Sequence, residues 1–196
     1  MNKTLDYILA KYQLAPCDVL PVILKQESDR KGLIKLFADL RFNKGVEVGV
    51  ASGDHALAMC QTVPNLELTC IDHWRGERKK HRIETQKKLA GYNVKLITDL
   101  SENVVEQIEP GSLDFVYIDA GHTFDAIMLD LIKWSKKVRT GGIVSGHDYG
   151  PINDRLTRNR TCGVYEAVNA YVDAHYIKNL FVIDSESVTP TFFWVN

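Results

Sequence analysis

Short apolar runs rich in β-branched residues, at 45–50, 66–71, 94–97, 113–118 and 143–145, alternate with helical patterns at 54–62, 77–90, 100–107, 124–137 and 164–176. This alternation predicts a mostly parallel sheet with crossover helices, because parallel neighbours need a long connection and a helix supplies it. Turn signals at Pro64-Asn65, Pro110-Gly111 and Gly141-Gly142 separate the elements. The pattern then changes: two last strand-like runs, 177–183 and 191–195, are separated only by residues 184–190. A loop that short joins antiparallel strands. Helical segments at 5–12 and 32–40 precede the sheet. The chain therefore reads as a single α/β domain, with a helical cover over residues 1–40 and a core over 41–196.

Its 196 residues suffice for a domain with its own core. The 24 Lys+Arg and 25 Asp+Glu leave a formal net charge of −1, which argues against bulk electrostatic binding to nucleic acid or a membrane and favours a small ligand. The amino-terminal Met1-Asn2-Lys3-Thr4-Leu5-Asp6 has no apolar signal core, and no apolar run is long enough to span a bilayer, so the expectation is a soluble cytoplasmic protein. Cys17, Cys60, Cys70 and Cys162 are scattered without a C-x-x-C, which suits reduced thiols. The basic stretch Arg75, Arg78, Lys79, Lys80, His81 and Arg82 reads as a solvated helix face, since only Trp74 adjoins it and no aromatic residues interleave it.

In open α/β sheets ligands bind at the carboxyl ends of the strands, so the polar residues there carry the functional signal. The run 45–50 enters a loop with Gly49 and Gly53, whose freedom at positive φ lets the backbone approach a ligand closely. In the dinucleotide pattern G-x-G-x-x-G the following helix meets a pyrophosphate. Here Glu47 stands where the first glycine would be, and a carboxylate repels pyrophosphate and suits a cationic ligand. Asp72, at the next strand end, reads as a ribose-hydroxyl acceptor or a helix cap. Asp99 reads as a partner for an adenine amino group or, with Ser101 before Glu102, as an ordinary helix start.

Two further strand ends, Asp119-Ala120-Gly121-His122 and Gly146-His147-Asp148-Tyr149, deliver Asp119, His122, His147 and Asp148 to one region. Such a group can act as a general base on a substrate hydroxyl. Alternatively, Asp119 and Asp148 can hold a hard divalent ion that acidifies and orients the hydroxyl, and His147 as a third ligand would favour Mn²⁺ or Fe²⁺ over Mg²⁺.

Glu47, Gly49 and Gly53 fit the pattern E/D-x-G-x-x-x-G, Asp72 its ribose-binding acid, and the carboxy-terminal hairpin its antiparallel sheet end. In these features the chain, over about residues 33–195, resembles class I S-adenosylmethionine-dependent methyltransferases. Tyr117-Ile118-Asp119-Ala120-Gly121-His122-Thr123-Phe124, Asp130-Leu131, Gly146-His147-Asp148-Tyr149 and Gly163-Val164-Tyr165-Glu166-Ala167-Val168 resemble, more narrowly, the small O-methyltransferase-like subfamily related to sugar and macrolide methyltransferases. The resemblance implies a Rossmann-like, doubly wound, seven-stranded and mostly parallel sheet with the last strand antiparallel. It implies S-adenosyl-L-methionine as cofactor, with Glu47 at its amino-acid end directly or through water. Gly49, Ser52 and Gly53 would form the loop, Asp72 would hold the ribose, Asp99 or Trp74 would lie near the adenine, and His73 would belong to the same cofactor-binding set. Asp119 would face cofactor and acceptor, with Asp119, His122, His147 and Asp148 catalytic and Asp119, His147 and Asp148 the ligands of Mg²⁺ or Mn²⁺.

Two features depart from the subfamily: Asp54-His55 follow Gly53 where a small hydroxyl residue is usual, and residues 150–162 insert Asp154, Arg155, Arg158 and Arg160. The insert reads as a solvated loop or as a lid over an anionic substrate. The expected activity is methyl transfer to a hydroxyl oxygen of a small, sugar-like or otherwise hydroxylated acceptor, because no N-P-P-Y or D-P-P-Y follows the run 113–118 to grip a planar amino group. Competing readings are a non-catalytic partner subunit that keeps the fold, an NAD-dependent oxidoreductase, and a nucleic-acid methyltransferase. The amino-terminal helices could cover a substrate or a twin subunit.

Overall fold

The computed structural model of the chain describes residues 2–15, 20–25, 30–150, 162–183 and 190–196. The chain begins with α1 (Lys3–Lys11), β1 (Val22–Leu24) and α2 (Arg30–Asp39). It then alternates through β2 (Lys44–Val48), α3 (Asp54–Thr62), β3 (Glu67–Asp72), α4 (Lys79–Lys88) and β4 (Val94–Thr98). Next come α5 (Ser101–Val104), β5 (Leu113–Ile118), α6 (Phe124–Trp134), β6 (Val138–Gly146) and α7 (Val164–Ala174). The hairpin strands β7 (Phe181–Ile183) and β8 (Thr191–Val195) end the fold.

All strands join one sheet in the order β1-β7-β8-β6-β5-β2-β3-β4. Neighbours from β6 to β4 pair in parallel, whereas β8 runs antiparallel to both β6 and β7. The seven expected strands are thus present, and an eighth, β1, pairs in parallel with β7 at the sheet edge. Val22-Ile23-Leu24 follows Pro21 and is too short to show a period, and its partner lies at the other end of the sequence, so no local pattern announces it.

Strand alternation divides the core in two. On one face Phe37, Met59 and Leu33 of α2 and α3 pack with Phe115 and Tyr117 of β5. On the other, Ile127, Leu131 and Trp134 of α6 and Val168 of α7 pack with Val46, Val48 and Val116. α3 spans the expected 54–62, whereas the later helical patterns end earlier than their sequence periodicity suggests, and short 3₁₀ turns flank three of them, at Gly76–Arg78, Val105–Gln107 and Ser135–Lys137. The run expected at 143–145 is the end of the longer β6, whose pairing with β5 shifts register between Leu113 and Phe115. Cys60 and Cys70 are unbridged, and burial pushes the Cys60 thiol up to about 11. No helix among the described residues is long and apolar enough to cross a membrane. Cys17, the loop 184–189, and Asp154, Arg155, Arg158 and Arg160 of the insert lie outside the described residues.

Candidate active site

The sheet order places β2 and β5 side by side where the winding reverses, and ligands in open α/β sheets bind at that point. A cleft of about 900 Å³ opens there, at the carboxyl ends of β2 to β5. Gly49, at a φ of 90°, leaves β2 and passes directly over the end of β5. Any Cβ at this position would overlap the carbonyl of Asp119, so the two strand ends meet only because residue 49 is glycine.

The loop is then fixed by Asp72. One oxygen of its carboxylate accepts from Ala51 N–H at 2.9 Å and the other from Trp74 N–H at 2.9 Å. Both residues have positive φ, 48° and 34°, a conformation costly for non-glycine residues. The Trp74 indole N–H donates to the Ala51 carbonyl at 2.8 Å, which locks both strained residues to each other. Asp72 is therefore neither a helix cap nor a free acceptor. It is a 7 % exposed cleft residue whose carboxylate already orders the loop, with remaining lone pairs towards the cavity.

At the β4 end, Asp99 lines the cleft and accepts from Asn103 Nδ2 at 2.8 Å and Leu100 N–H at 2.7 Å, bonds that hold its carboxyl below the usual carboxylate range. His73, Leu100 and Ser101 extend the same wall, and Ile71, Ala120 and Leu129 give it apolar surface.

Four of the expected cofactor residues stand outside this cleft. Glu47 shares the sheet face of Tyr117 and Phe115, so its side chain turns under α3, away from the cavity. There it is 2 % exposed, bonded through Oε1 to His55 Nδ1 at 2.9 Å, and His55 lies on the Tyr117 ring at 4.1 Å. Burial pushes the Glu47 carboxyl up, against the pull of His55. Ser52 bonds Asp54 at 2.6 Å, Gly53 abuts Thr85, and Trp74 is buried behind the loop.

The ends of β5 and β6 bring the remaining residues together. His122 Nε2 lies 2.8 Å from Asp148 and 3.5 Å from Asp119, and these two bonds, Asp119's first, raise the imidazole to about 10. Burial opposes ionisation of Asp148, but the hydrogen bonds from His122 and His147 outweigh it and hold its carboxyl well below the usual range. Asp119, His122 and Asp148 each offer one donor atom within 4.8 Å of the others. His147, expected as the third ligand, stands outside that set, its Nδ1 3.4 Å from Asp148 and 4.0 Å from Asp119. Asp148 has a φ of 60°, which breaks the strand alternation at this point and leaves its carboxylate beside His122. Two carboxylates and an imidazole form a donor set that fits a hard or borderline divalent cation.

Two contributors were not among the expected site residues. Arg30, the first residue of α2, reaches Asp119 Oδ2 at 3.7 Å from a distant part of the sequence. Asp130, on α6, lines the cleft at 7 % exposure, and its burial pushes the carboxyl up to about 6 while Ser101 donates to it at 2.5 Å. Its one available signal was an acid on the apolar face of a helix, between Ile127, Leu131 and Trp134.

Residues 46–149 match the family model described as a methyltransferase domain. No curated protein matches the sequence. Among solved structures, the O-methyltransferase TomG from Streptomyces achromogenes, involved in tomaymycin synthesis and in complex with SAM, is 16 % identical, with a TM-score of 0.64 over 100 % of this chain and 89 % of its own. The O-methyltransferase from Bacillus cereus in complex with SAH is 16 % identical, with a TM-score of 0.66 over 99 % and 91 %. Cofactor-bound Rv0187 from MTB is 14 % identical, with a TM-score of 0.65 over 98 % and 89 %. At these identities the likeness is one of fold.

Proposed function

The chain belongs to the methyltransferase-domain family, and from that premise we propose that it transfers a methyl group from S-adenosylmethionine to a hydroxyl oxygen of a small molecule, with a divalent cation held by Asp119, Asp148 and His122. The observation that carries this reading is the single cleft in which the Gly49 loop, Asp72 and Asp99 form one end and Asp119 and His122 the other. Relatives of the same fold crystallised with SAM or SAH support the choice of cofactor.

The walls suit a nucleoside with a cationic tail. Asp72 and Asp99 offer hydrogen-bond acceptors to ribose and adenine, Leu100 and Ile71 offer apolar surface to the base, and Gly49 presents its backbone at the cleft wall to the tail. S-adenosylmethionine supplies an electrophilic methyl group on a positively charged sulfur, so the protein's task is to align an oxygen with it and exclude water. Asp119, at the His122 end of the cleft, can orient the acceptor hydroxyl. Of the hydrogen-bonded pair, Asp148 is the one that can take up its proton, since the two carboxylates keep His122 protonated until it ligates a cation. A divalent cation at this donor set would lower the pKa of that hydroxyl and fix its direction. Arg30 beside Asp119 gives the acceptor end a further cation, which favours an acceptor that carries or develops negative charge.

Calorimetric titration with S-adenosylmethionine and, separately, NAD, each with and without Mn²⁺ or Mg²⁺, tests the reading. Saturable binding of S-adenosylmethionine that Asp99→Ala weakens, with no binding of NAD, would support it and justify an acceptor screen that begins with hydroxylated sugars. Binding of NAD alone would overturn it.

A further inference from the structure

Beyond the His73 wall lies a second groove, of about 700 Å³, at the carboxyl ends of β3 and β4. His73, Trp74, Arg75, Lys79, Arg82 and Thr98 line it, and of these only His73 also lines the cofactor cleft.

The helix beside it is built for something other than packing. Residues 75–88 hold seven Lys or Arg against two Glu, in a chain whose net charge is −1. Thr85 is the one buried residue of α4, and Ile83, its only aliphatic side chain, is 57 % exposed. A helix that is polar all round adds little to a core. Thr85 instead fixes the helix to the cofactor loop, its hydroxyl 3.0 Å from the Ala51 carbonyl and its side chain against Gly53.

So dense a run of positive charge repels itself unless it is neutralised. Among the described residues the stretch makes one ion pair, Lys88 to Asp54 at 2.6 Å, and Lys88 does not line the groove. Arg82 is held by neutral partners only, Thr98 Oγ1 at 2.8 Å and Gln86 Oε1 at 3.2 Å. Its guanidinium is therefore positioned without a carboxylate bonded to it, beside Lys79 and Arg75, with Asp99 facing Arg75 at the groove's edge. The first turn of α4 contains no acid, so the positive end of the helix dipole adds to the same field.

We infer that this groove binds the phosphate of a small phosphorylated ligand, a phosphomonoester or diphosphate. A planar guanidinium with a neighbouring ammonium matches phosphate oxygens, and Thr98 Oγ1 adds a hydroxyl at the wall. A single-stranded nucleic acid fits less well, because it needs open aromatic faces for its bases. Trp74, the aromatic residue among the walls, is 2 % exposed and its N–H is committed to Ala51.

Calorimetric titration with inorganic pyrophosphate tests the inference directly. The wild type is compared with Lys79→Gln/Arg82→Gln and with the control Lys87→Gln/Lys95→Gln, which removes equal charge outside the groove. We expect saturable one-to-one binding, weakened about tenfold or more in the first pair and less than about twofold in the control. Lys79→Gln alone, at a side chain that anchors nothing, should show a smaller loss in the same direction if the Arg82 variant fails to fold by near-UV circular dichroism. Absence of saturable binding, or equal weakening in both pairs, would overturn the inference. So would an oligouridylate that binds in the groove much more tightly than pyrophosphate, since the site would then serve a nucleic-acid backbone.

Discussion

Around the loop after β2 the cleft is held by bonds to backbone N–H and C=O groups, whereas at the ends of β5 and β6 side chains hold one another. At the first wall, Asp72 and the indole of Trp74 tie Ala51 and Trp74 in strained conformations, and Gly49 N–H and Asp119 N–H bond the Ile71 and Val48 carbonyls at 2.8 Å each. At the second, Asp119, His122, His147, Asp148 and Arg30 meet through ion pairs from 2.8 to 4.0 Å, and His122 is half exposed. The difference separates two tasks. A loop made rigid by folding presents an unvarying surface to one cofactor, while charged side chains that neutralise one another can exchange partners when a metal or acceptor arrives.

If that division is right, substitutions at the first wall should cost folding stability and those at the second should not. The largest effect is expected for Gly49→Ala, which places a Cβ against the Asp119 carbonyl at a φ of 90°. Strain and overlap together should remove about 4 kcal/mol in urea denaturation. Asp72→Ala should come next, at about 3 kcal/mol, because it leaves two loop N–H groups without their charged acceptor, and S-adenosylmethionine binding should disappear with it. A loss below about 1 kcal/mol at Asp72 would mean that the strained loop holds itself.

Much of the first wall was legible in the sequence, because its requirements are backbone requirements. Gly49 and Asp72 occupy strand ends that the alternation of apolar runs already located. Glu47 was legible as an acid in the loop pattern but not in its direction, since the pleat turns it under α3 to His55, a neighbour that appears only when β2, α3 and β5 are assembled. At the second wall the residues were readable and their pairing was not. The left-handed backbone of Asp148 and its contact with His122 in place of a closer His147 follow from tertiary geometry. Arg30 and β1 escaped for a related reason: each meets its partner far away in the sequence, where no local period reaches.

Asp130 sharpens the comparison from the opposite side, as a buried charge whose ionisation works against folding. Its carboxyl is raised from 3.8 to about 6, so the native state holds the proton more tightly than the unfolded chain does. Stability must then fall as pH rises from about 4 to about 6, and the cost persists above that window. Asp130→Asn keeps an acceptor for Ser101 and removes the charge, so it should gain about 2 kcal/mol at pH 7 and nothing at pH 4. A gain of equal size at both values would locate the effect in packing instead of ionisation.

The smallest effect on stability should come from Asp148→Asn, and it is the most demanding test of the division. Its partner His122 is 46 % exposed, and ion pairs of that kind contribute about 1 kcal/mol or less. Asparagine also tolerates the left-handed backbone at position 148. The variant should therefore unfold within about 1 kcal/mol of the wild type. It should lose Mn²⁺ affinity by about 100-fold in electron paramagnetic resonance titration, because a neutral amide replaces a carboxylate ligand. A stability loss as large as that of Asp72→Ala would make the second wall structural as well. Preserved stability with unchanged Mn²⁺ binding would instead remove Asp148 from the metal ligands and leave it as the partner that orients His122.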